Sequence, residues 1–336
     1  MNRSQTQSGC LSILLVLFLL VSLIVNIVFY LSLQWKTPTD KPKATMLGEE
    51  TMIDGESHDK IAVIDLVGVI SYAIESYAAE SMVDTVIEQL ERAREDEDVK
   101  AIILNIDSPG GEVNASDVLY HEIKKTRDDY QKPVVVHMMS VAASGGYYAA
   151  MGASKIVANE LTLTGSIGVI MQSMDYEGLS GKIGVRFHTF KSGKFKDILS
   201  GDRAPTEEEK KYVQDMIMET YEKFVGIVAI ERQLNIDELK SGVADGRPIS
   251  GKNALAAGLV DKLGYFEDAV AEAKKLAGVK EARVIRYTIP FSFFNIFQLL
   301  SMESRHRTLT LEIVPEILGA IKPGRPYYIA PHLFQD

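Results

Sequence analysis

PVVVHMMSVAASGGYYAAM, residues 133–151, decides how this chain folds. Its apolar run VVVHMM (134–139) reads as a buried strand, Ala142-Ala143-Ser144-Gly145-Gly146 as a glycine-rich turn, and 146–151 as a helix. A strand that runs straight into a turn and a helix is the unit step of an α/β sheet. The same step occurs upstream. AIILNID (101–107) predicts a strand, Ser108-Pro109-Gly110-Gly111 a turn, and 115–127 a helix. Further out, IAVIDLVGVI (61–70) predicts a strand and 78–96 an amphipathic helix. Downstream, strands are expected at 155–158, 185–190 and 282–287, with helices at 205–232 and 266–277. This alternation specifies an α/β domain with largely parallel sheets and helical crossovers, and no internal repeat.

Composition narrows the chemistry. Of the 336 residues 46% are hydrophobic, enough for a large core, and the formal net charge is −10 with a pI near 5.2. No basic footprint for phosphate backbones exists, so a nucleic-acid partner is excluded. Cys10 is the only cysteine, which removes an intrachain disulfide, a thiolate zinc cluster and a cysteine redox pair.

Residues 1–10 form a short N-terminal tail. Residues 11–33 (LSILLVLFLLVSLIVNIVFYLSL) carry no charge and, as a helix rising about 1.5 Å per residue, would cross a hydrocarbon core of roughly 30 Å. The exit through Gln34, Trp35, Lys36 and Thr37 lacks the small residues of a cleavage site, so an uncleaved signal anchor in contact with membrane lipid is expected. Arg3 on one side and Lys36, Lys41 and Lys43 on the other leave the orientation open by charge. Residues 34–60, with Pro38, Pro42, Gly48 and Gly55, read as a flexible tether, and 61–288 as the globular domain. In the C-terminal extension, 289–336, the aromatic run IPFSFFNIFQLLS (289–301) is too short to span a bilayer and suits core or subunit packing.

The two glycine-rich turns carry the chemistry. Glycines let backbone N–H groups approach a ligand closely, and a helix start supplies free donors. Gly111 and Gly145 could therefore frame an oxyanion hole beside Ser144 as nucleophile. A helix N-cap is the ordinary alternative role for that serine. A serine nucleophile needs a base. Of the six histidines, His58, His306 and His332 lie in tether or tail, His137 suits a satisfied strand position, His121 lies on a helix face, and His188 is the one retained as a candidate. The cluster Lys191, Lys194 and Lys196 offers a lysine base instead, with apolar Phe195 and Ile198 beside Lys196. An ordinary lysine, with a pKa of about 10.4, is almost wholly charged at pH 7, so such a base must be desolvated. GRPISGKN (246–253) imitates a phosphate loop but has Asn253 where a magnesium-binding hydroxyl belongs; it reads as a turn capping a helix at Ala254.

The segments IDSPGGEV (106–113), SVAASGGYYAAMGASKIVAN (140–159), TLTGSIGV (162–169), FKSGKFKDIL (190–199) and VADGRPISGKNALAAGLVDKLG (243–264) resemble the signal peptide peptidase A family in its short, single-domain bacterial form. The resemblance covers about 61–287. It implies a crotonase/Clp-protease-like fold and a Ser-Lys serine protease. Ser144 would be the nucleophile, Lys196 the general base, Gly111 and Gly145 the oxyanion donors, and Ser166 the hydroxyl that steadies the lysine amine. The histidine base of Clp proteases would fall on Val169, which cannot serve. The resemblance further implies no metal or organic cofactor, a homo-oligomer whose subunits line each other's grooves, and residence in the bacterial cytoplasmic membrane with the domain outside. The expected substrates are remnant signal peptides and other unfolded apolar peptides. A crotonase-like acyl-thioester enzyme and a noncatalytic membrane scaffold of the same fold are the alternatives.

Overall fold

The computed structural model describes residues 15–23, 26–27, 47–72, 81–288 and 327–329. The chain divides into two units, 1–45 and 46–336. In the first unit 15–23 and 26–27 are helical with exposed side chains, and Asn26 Nδ2 donates to Ser22 O at 2.7 Å. Among the described residues no helix is long and apolar enough to cross a membrane. The rest of the expected span at 11–33, the tail 1–10, the aromatic run 289–301 and most of the extension 289–336 lie outside the described residues.

In the second unit the apolar runs become strands β2 (Lys60–Val67), β3 (Val99–Ser108), β5 (Val134–Ala143) and β6 (Lys155–Ala158), all parallel to their neighbours. With β1 (Gly48–Ile53), β9 (Lys262–Leu263) and β10 (Arg283–Thr288), the path is β1-β10-β2-β3-β5-β6-β9. β7 (Leu163–Gly165) adds to the end of β5 and pairs with β8 (Pro248–Ser250), while β4 (Gly110–Glu112) pairs with β11 (Tyr327–Ile329) in a separate ribbon.

The central strands are apolar throughout because both faces are covered. Ile61, Val63, Ala101, Ile103, Val135 and Val157 pack against the helix Phe266–Ala277 through Ala269, Val270 and Ala273. The alternate residues Ala62, Ile64, Ile102, Leu104, Val134 and Val136 meet helices on the other face. These are α1 (Met82–Glu95), α2 (Val113–Asp128), α3 (Gly145–Ala150) and, after the short α4 (Glu177–Lys182), the long α5 (Glu207–Arg232). Then come α6 (Ile236–Ser241), α7 (Gly251–Ala256) and α8 (Phe266–Ala277). Ser250 caps α7 by accepting from Asn253 N, the role read for the phosphate-loop mimic.

Two expectations change. The strand at 185–190 does not form; Val185, Phe187 and Phe190 are exposed, with no neighbouring strand among the described residues to supply hydrogen bonds. Conversely, β1 lies within the stretch read as tether. Its side chains are mostly exposed, so it lacks apolar alternation and forms through backbone pairing with β10.

Asp261 ties the far edge together. It accepts from Ile156 N at 2.8 Å and from Arg232 Nη1 and Nη2 at 3.0 and 3.2 Å, so β6 and the end of α5 share one carboxylate. Burial alone would raise its pKa, but Arg232 and the Ile156 N–H outweigh it and the net shift is downward. Asp261→Ala is expected to cost about 3 kcal/mol at pH 7, because it leaves the Ile156 amide without its side-chain acceptor and the Arg232 guanidinium with Gly258 O in place of a carboxylate. Since a depressed carboxyl stabilises only while ionised, the gap from wild type should shrink as the pH falls below about 4. Chemical denaturation at both pH values checks this.

Candidate active site

Ser144 sits where β5 becomes α3. Its N–H donates to Gly165 O at 2.8 Å and its carbonyl accepts the first helical bond from Tyr148 N at 2.8 Å. Held at both ends, the residue takes φ 52° and ψ −112°, a conformation that side chains other than glycine rarely adopt. Such strain costs on the order of 1–3 kcal/mol and persists only where the surroundings impose it. They do so here through α3, which is wholly buried. Tyr147 Oη donates to Leu259 O at 2.8 Å and Tyr148 Oη to Asp117 Oδ1 at 2.6 Å, while the Tyr148 ring packs on Tyr120 and Phe224.

The Ser144 hydroxyl does not cap the helix. It is completely buried and, among the described residues, has no hydrogen-bond partner. A buried hydroxyl without a partner costs free energy. The N-cap role is therefore excluded as the reason for this serine.

The second turn is pinned beside the first. Asp107 Oδ1 accepts from Val141 N at 3.0 Å, and Ser108 pairs with Ala142 across the parallel strands. Ser108 Oγ donates to Gly68 O at 2.7 Å and accepts from Gly110 N at 3.2 Å, which sets the bend before Gly111. Gly111 lies against Ile70: Ile70 N donates to Gly110 O at 2.9 Å and Glu112 N to Ile70 O at 2.8 Å. A Cβ on Gly111 would stand 1.9 Å from Ile70 O, so only glycine fits. β11 runs antiparallel to β4 here, with Tyr328 opposite Gly111.

Ser166 follows β7, whose Gly165 accepts the Ser144 N–H. It is buried, has φ 50°, and donates from Oγ to Gly246 O at 3.1 Å. With Ile167, Val169, Met218 and Tyr221 it lines a cavity of about 570 Å³.

The lysine cluster divides. Lys191 Nζ is bound to Asp197 at 2.6 Å and Lys194 to Glu208, whereas Lys196 has no ion pair or hydrogen bond to its amine among the described residues. Lys196 is exposed rather than desolvated as a lysine base requires, and it makes no hydrogen bond to Ser144 within this chain. The structure thus brings Ser144, Gly145, Gly111 and Ser166 into one neighbourhood, while the exposed Lys196 amine makes no hydrogen bond to any of them.

The histidines recede. His137 Nδ1 is 3.1 Å from Asn105 Oδ1 and its ring packs edge-on to Phe266, with burial lowering its pKa. His121 and His188 are exposed. Sequence reasoning missed Ile70, Asp107 and Ser108 as the parts that shape the Gly111 turn. Only the unbroken run DSPGG hinted at them; the Ile70 contact is made by backbone, which carries no sequence signal.

A model of Peptidase family S49 matches residues 126–280, a range that holds both Ser144 and Lys196, and a model of Clp protease matches 62–176. The chain is 40% identical over 246 residues to "Putative signal peptide peptidase SppA" of Enterococcus faecium, covering 71% of this chain and 70% of that protein. It is 41% identical over 198 residues to "Protease 4" of Salmonella typhi, covering 59% of this chain and 32% of that one. With "Serine protease SPPA, chloroplastic" of Arabidopsis thaliana the identity is 38% over 225 residues, 66% of this chain and 33% of the relative. The chain thus spans about a third of the length of the last two.

Proposed function

Because the chain belongs to peptidase family S49 and is a serine protease, we propose that it is a membrane-anchored endopeptidase working through Ser144 and Lys196. The observation that carries this reading is the Ser144 hydroxyl, buried, not capping its helix and without a partner among the described residues, on a strained backbone beside a second glycine turn. The neutral Lys196 amine takes the hydroxyl proton as Oγ bonds to the peptide carbonyl carbon. The Gly111 and Gly145 N–H groups stabilise the resulting oxyanion. As the C–N bond breaks, the leaving amine takes the proton from the lysine. Water then attacks the acyl-enzyme, giving one proton back through Lys196 to Oγ and releasing the acid.

Substrate recognition follows from β4. A peptide would bind as an added strand in the place that β11 takes against β4, with backbone bonds supplying affinity and its carbonyl presented at Gly111. Unfolded apolar chains, remnant signal peptides among them, satisfy that requirement. The uncharged run at 11–33 supplies the anchor to the bacterial cytoplasmic membrane, with the domain on the outer side.

A homo-oligomer completes the site. Between β7 and α5 the chain leaves Met174, Leu179, Ile183, Phe187 and Phe190 more than half exposed, and Lys196 lies just beyond them. Covering such a surface with a second copy would exclude water from Lys196, as a lysine base requires.

Full-length protein in detergent is expected to cleave an unfolded apolar peptide and to be labelled at Ser144 by a serine-directed phosphonate. Binding of an acyl-CoA thioester without peptide cleavage or labelling would replace this reading with the crotonase-like alternative.

A further inference from the structure

The loop that bears Lys196 is fastened to α5 at several points, among them a guanidinium that bridges two carboxylates. Lys196 N donates to Gly193 O at 3.1 Å and Ile198 N to Phe195 O at 3.1 Å, so 193–199 is a run of tight turns. Next to the exposed Lys196, the Asp197 side chain is only 9% exposed. A carboxylate beside a lysine ordinarily holds it as an ammonium. Here the oxygens are already engaged. Asp197 Oδ1 takes Lys191 Nζ at 2.6 Å and Arg203 Nη2 at 2.7 Å, and Oδ2 takes Arg203 Nε at 3.0 Å.

The other side of Arg203 holds Glu209, with Nη1 to Oε2 at 2.9 Å and Nη2 to Oε1 at 2.5 Å. Glu209 closes the capping box of α5: its Oε2 accepts from Thr206 N at 2.8 Å while its N–H reaches Thr206 Oγ1 at 3.2 Å. That helix is seated in the core by Phe224, Val225 and Val228. The Phe195 ring packs on Tyr212 of the same helix at 5.3 Å between centroids.

We propose that Arg203 is a positioning residue: by bridging Asp197 to Glu209 it fastens the Lys196 loop to α5 and occupies the carboxylate that would otherwise hold Lys196 as an ammonium. This rests on the Ser144–Lys196 reading above. The bonds from Arg203 keep Asp197 far below the usual carboxylate range and bring Glu209 down to about 2, so both stay ionised at working pH. The ion pairs of this loop are then Asp197 with Lys191 and Arg203, Glu209 with Arg203, and Glu208 with Lys194; Asp202 is bonded to Ser200 and Thr189. Removing Arg203 leaves Asp197 with one cation instead of two, so the field at Lys196 becomes more negative and the ammonium is favoured.

The test compares pH–rate profiles of full-length wild type, Arg203→Met, Arg203→Lys, Lys191→Met and the double variant Asp197→Asn/Arg203→Met. Arg203→Met is expected to lose about tenfold in kcat/KM at pH 7 and to move the acid limb up by about half to one pH unit, with activity recovering in alkali. Lysine should restore part of the loss, and Asp197→Asn in the Met background should bring the limb back. Full activity in Arg203→Met, or lost activity with an unmoved acid limb, overturns the proposal. If Arg203→Met does not fold, Lys191→Met decides: an upward shift of the limb supports the proposal and no shift overturns it. Lys196→Ala separates the two ideas. Its retained activity refutes the Ser-Lys reading itself, whereas an inactive Lys196→Ala beside an unshifted Arg203→Met refutes only the role of Arg203.

Discussion

Ser144→Ala is expected to abolish peptide hydrolysis, by at least about a thousandfold, while the protein stays as stable as wild type or becomes more so. The two effects have one cause. The hydroxyl is buried with no partner among the described residues, so its removal deletes an unpaid desolvation of about 1–3 kcal/mol, offset by the small void it leaves. A serine kept for stability would behave oppositely, since loss of an N-cap costs about 1 kcal/mol. Thermal denaturation and peptide hydrolysis on the same samples test both halves. Unchanged hydrolysis, or a clear drop in Tm with activity retained, would remove Ser144 from the mechanism.

Lys196→Ala should be equally inactive and equally folded, because its exposed amine makes no ion pair among the described residues. Mixing the two inactive proteins under conditions that exchange subunits reports where the base comes from. Recovered activity means that Lys196 of one copy serves Ser144 of another. No recovery, with exchange demonstrated, places both groups in one chain.

Gly111→Ala is expected to cost catalysis through the oxyanion and not through the nucleophile or base. An ideal Cβ there would lie 1.9 Å from the Ile70 carbonyl oxygen, so the strand must move or the Ile70 pairing must break. Either displaces the Gly111 N–H. Loss of one oxyanion donor is worth roughly a hundred- to a thousandfold in kcat, about 3–4 kcal/mol of transition-state stabilisation. The expected signature is a fall in kcat with KM changed little, since the donor acts on charge that exists only in the transition state. Gly226→Ala is the control: it lies mid-helix in α5 with nothing within 4 Å of a new Cβ, so kcat should hold and stability rise by about 0.5–1 kcal/mol. Equal kcat in Gly111→Ala and wild type would show that this amide does not hold the oxyanion.

Much of the framework was legible because it rests on local pattern. Apolar runs such as IAVIDLV and AIILNID appear as strands covered on both faces, and the 205–232 helix is α5 with its capping box Thr206–Glu209. The motif resemblance is borne out by the match to family S49. The expected strand at 185–190 misled because its apolar residues find no strand to pair with among the described residues and stay exposed. β1 was hidden for the opposite reason: GEETMI pairs through its backbone and shows no alternation.

The order of amino acids by itself determined the parallel α/β framework, the protease family and the two glycine turns, because each is written in contiguous residues whose periodicity or spacing acts locally. Folding alone sets these turns side by side, strains Ser144 and leaves its hydroxyl without a partner among the described residues, and lets Ile70 forbid a side chain at Gly111. Those properties arise where segments far apart in sequence are pressed together, and backbone carbonyls that carry no residue identity do much of the pressing.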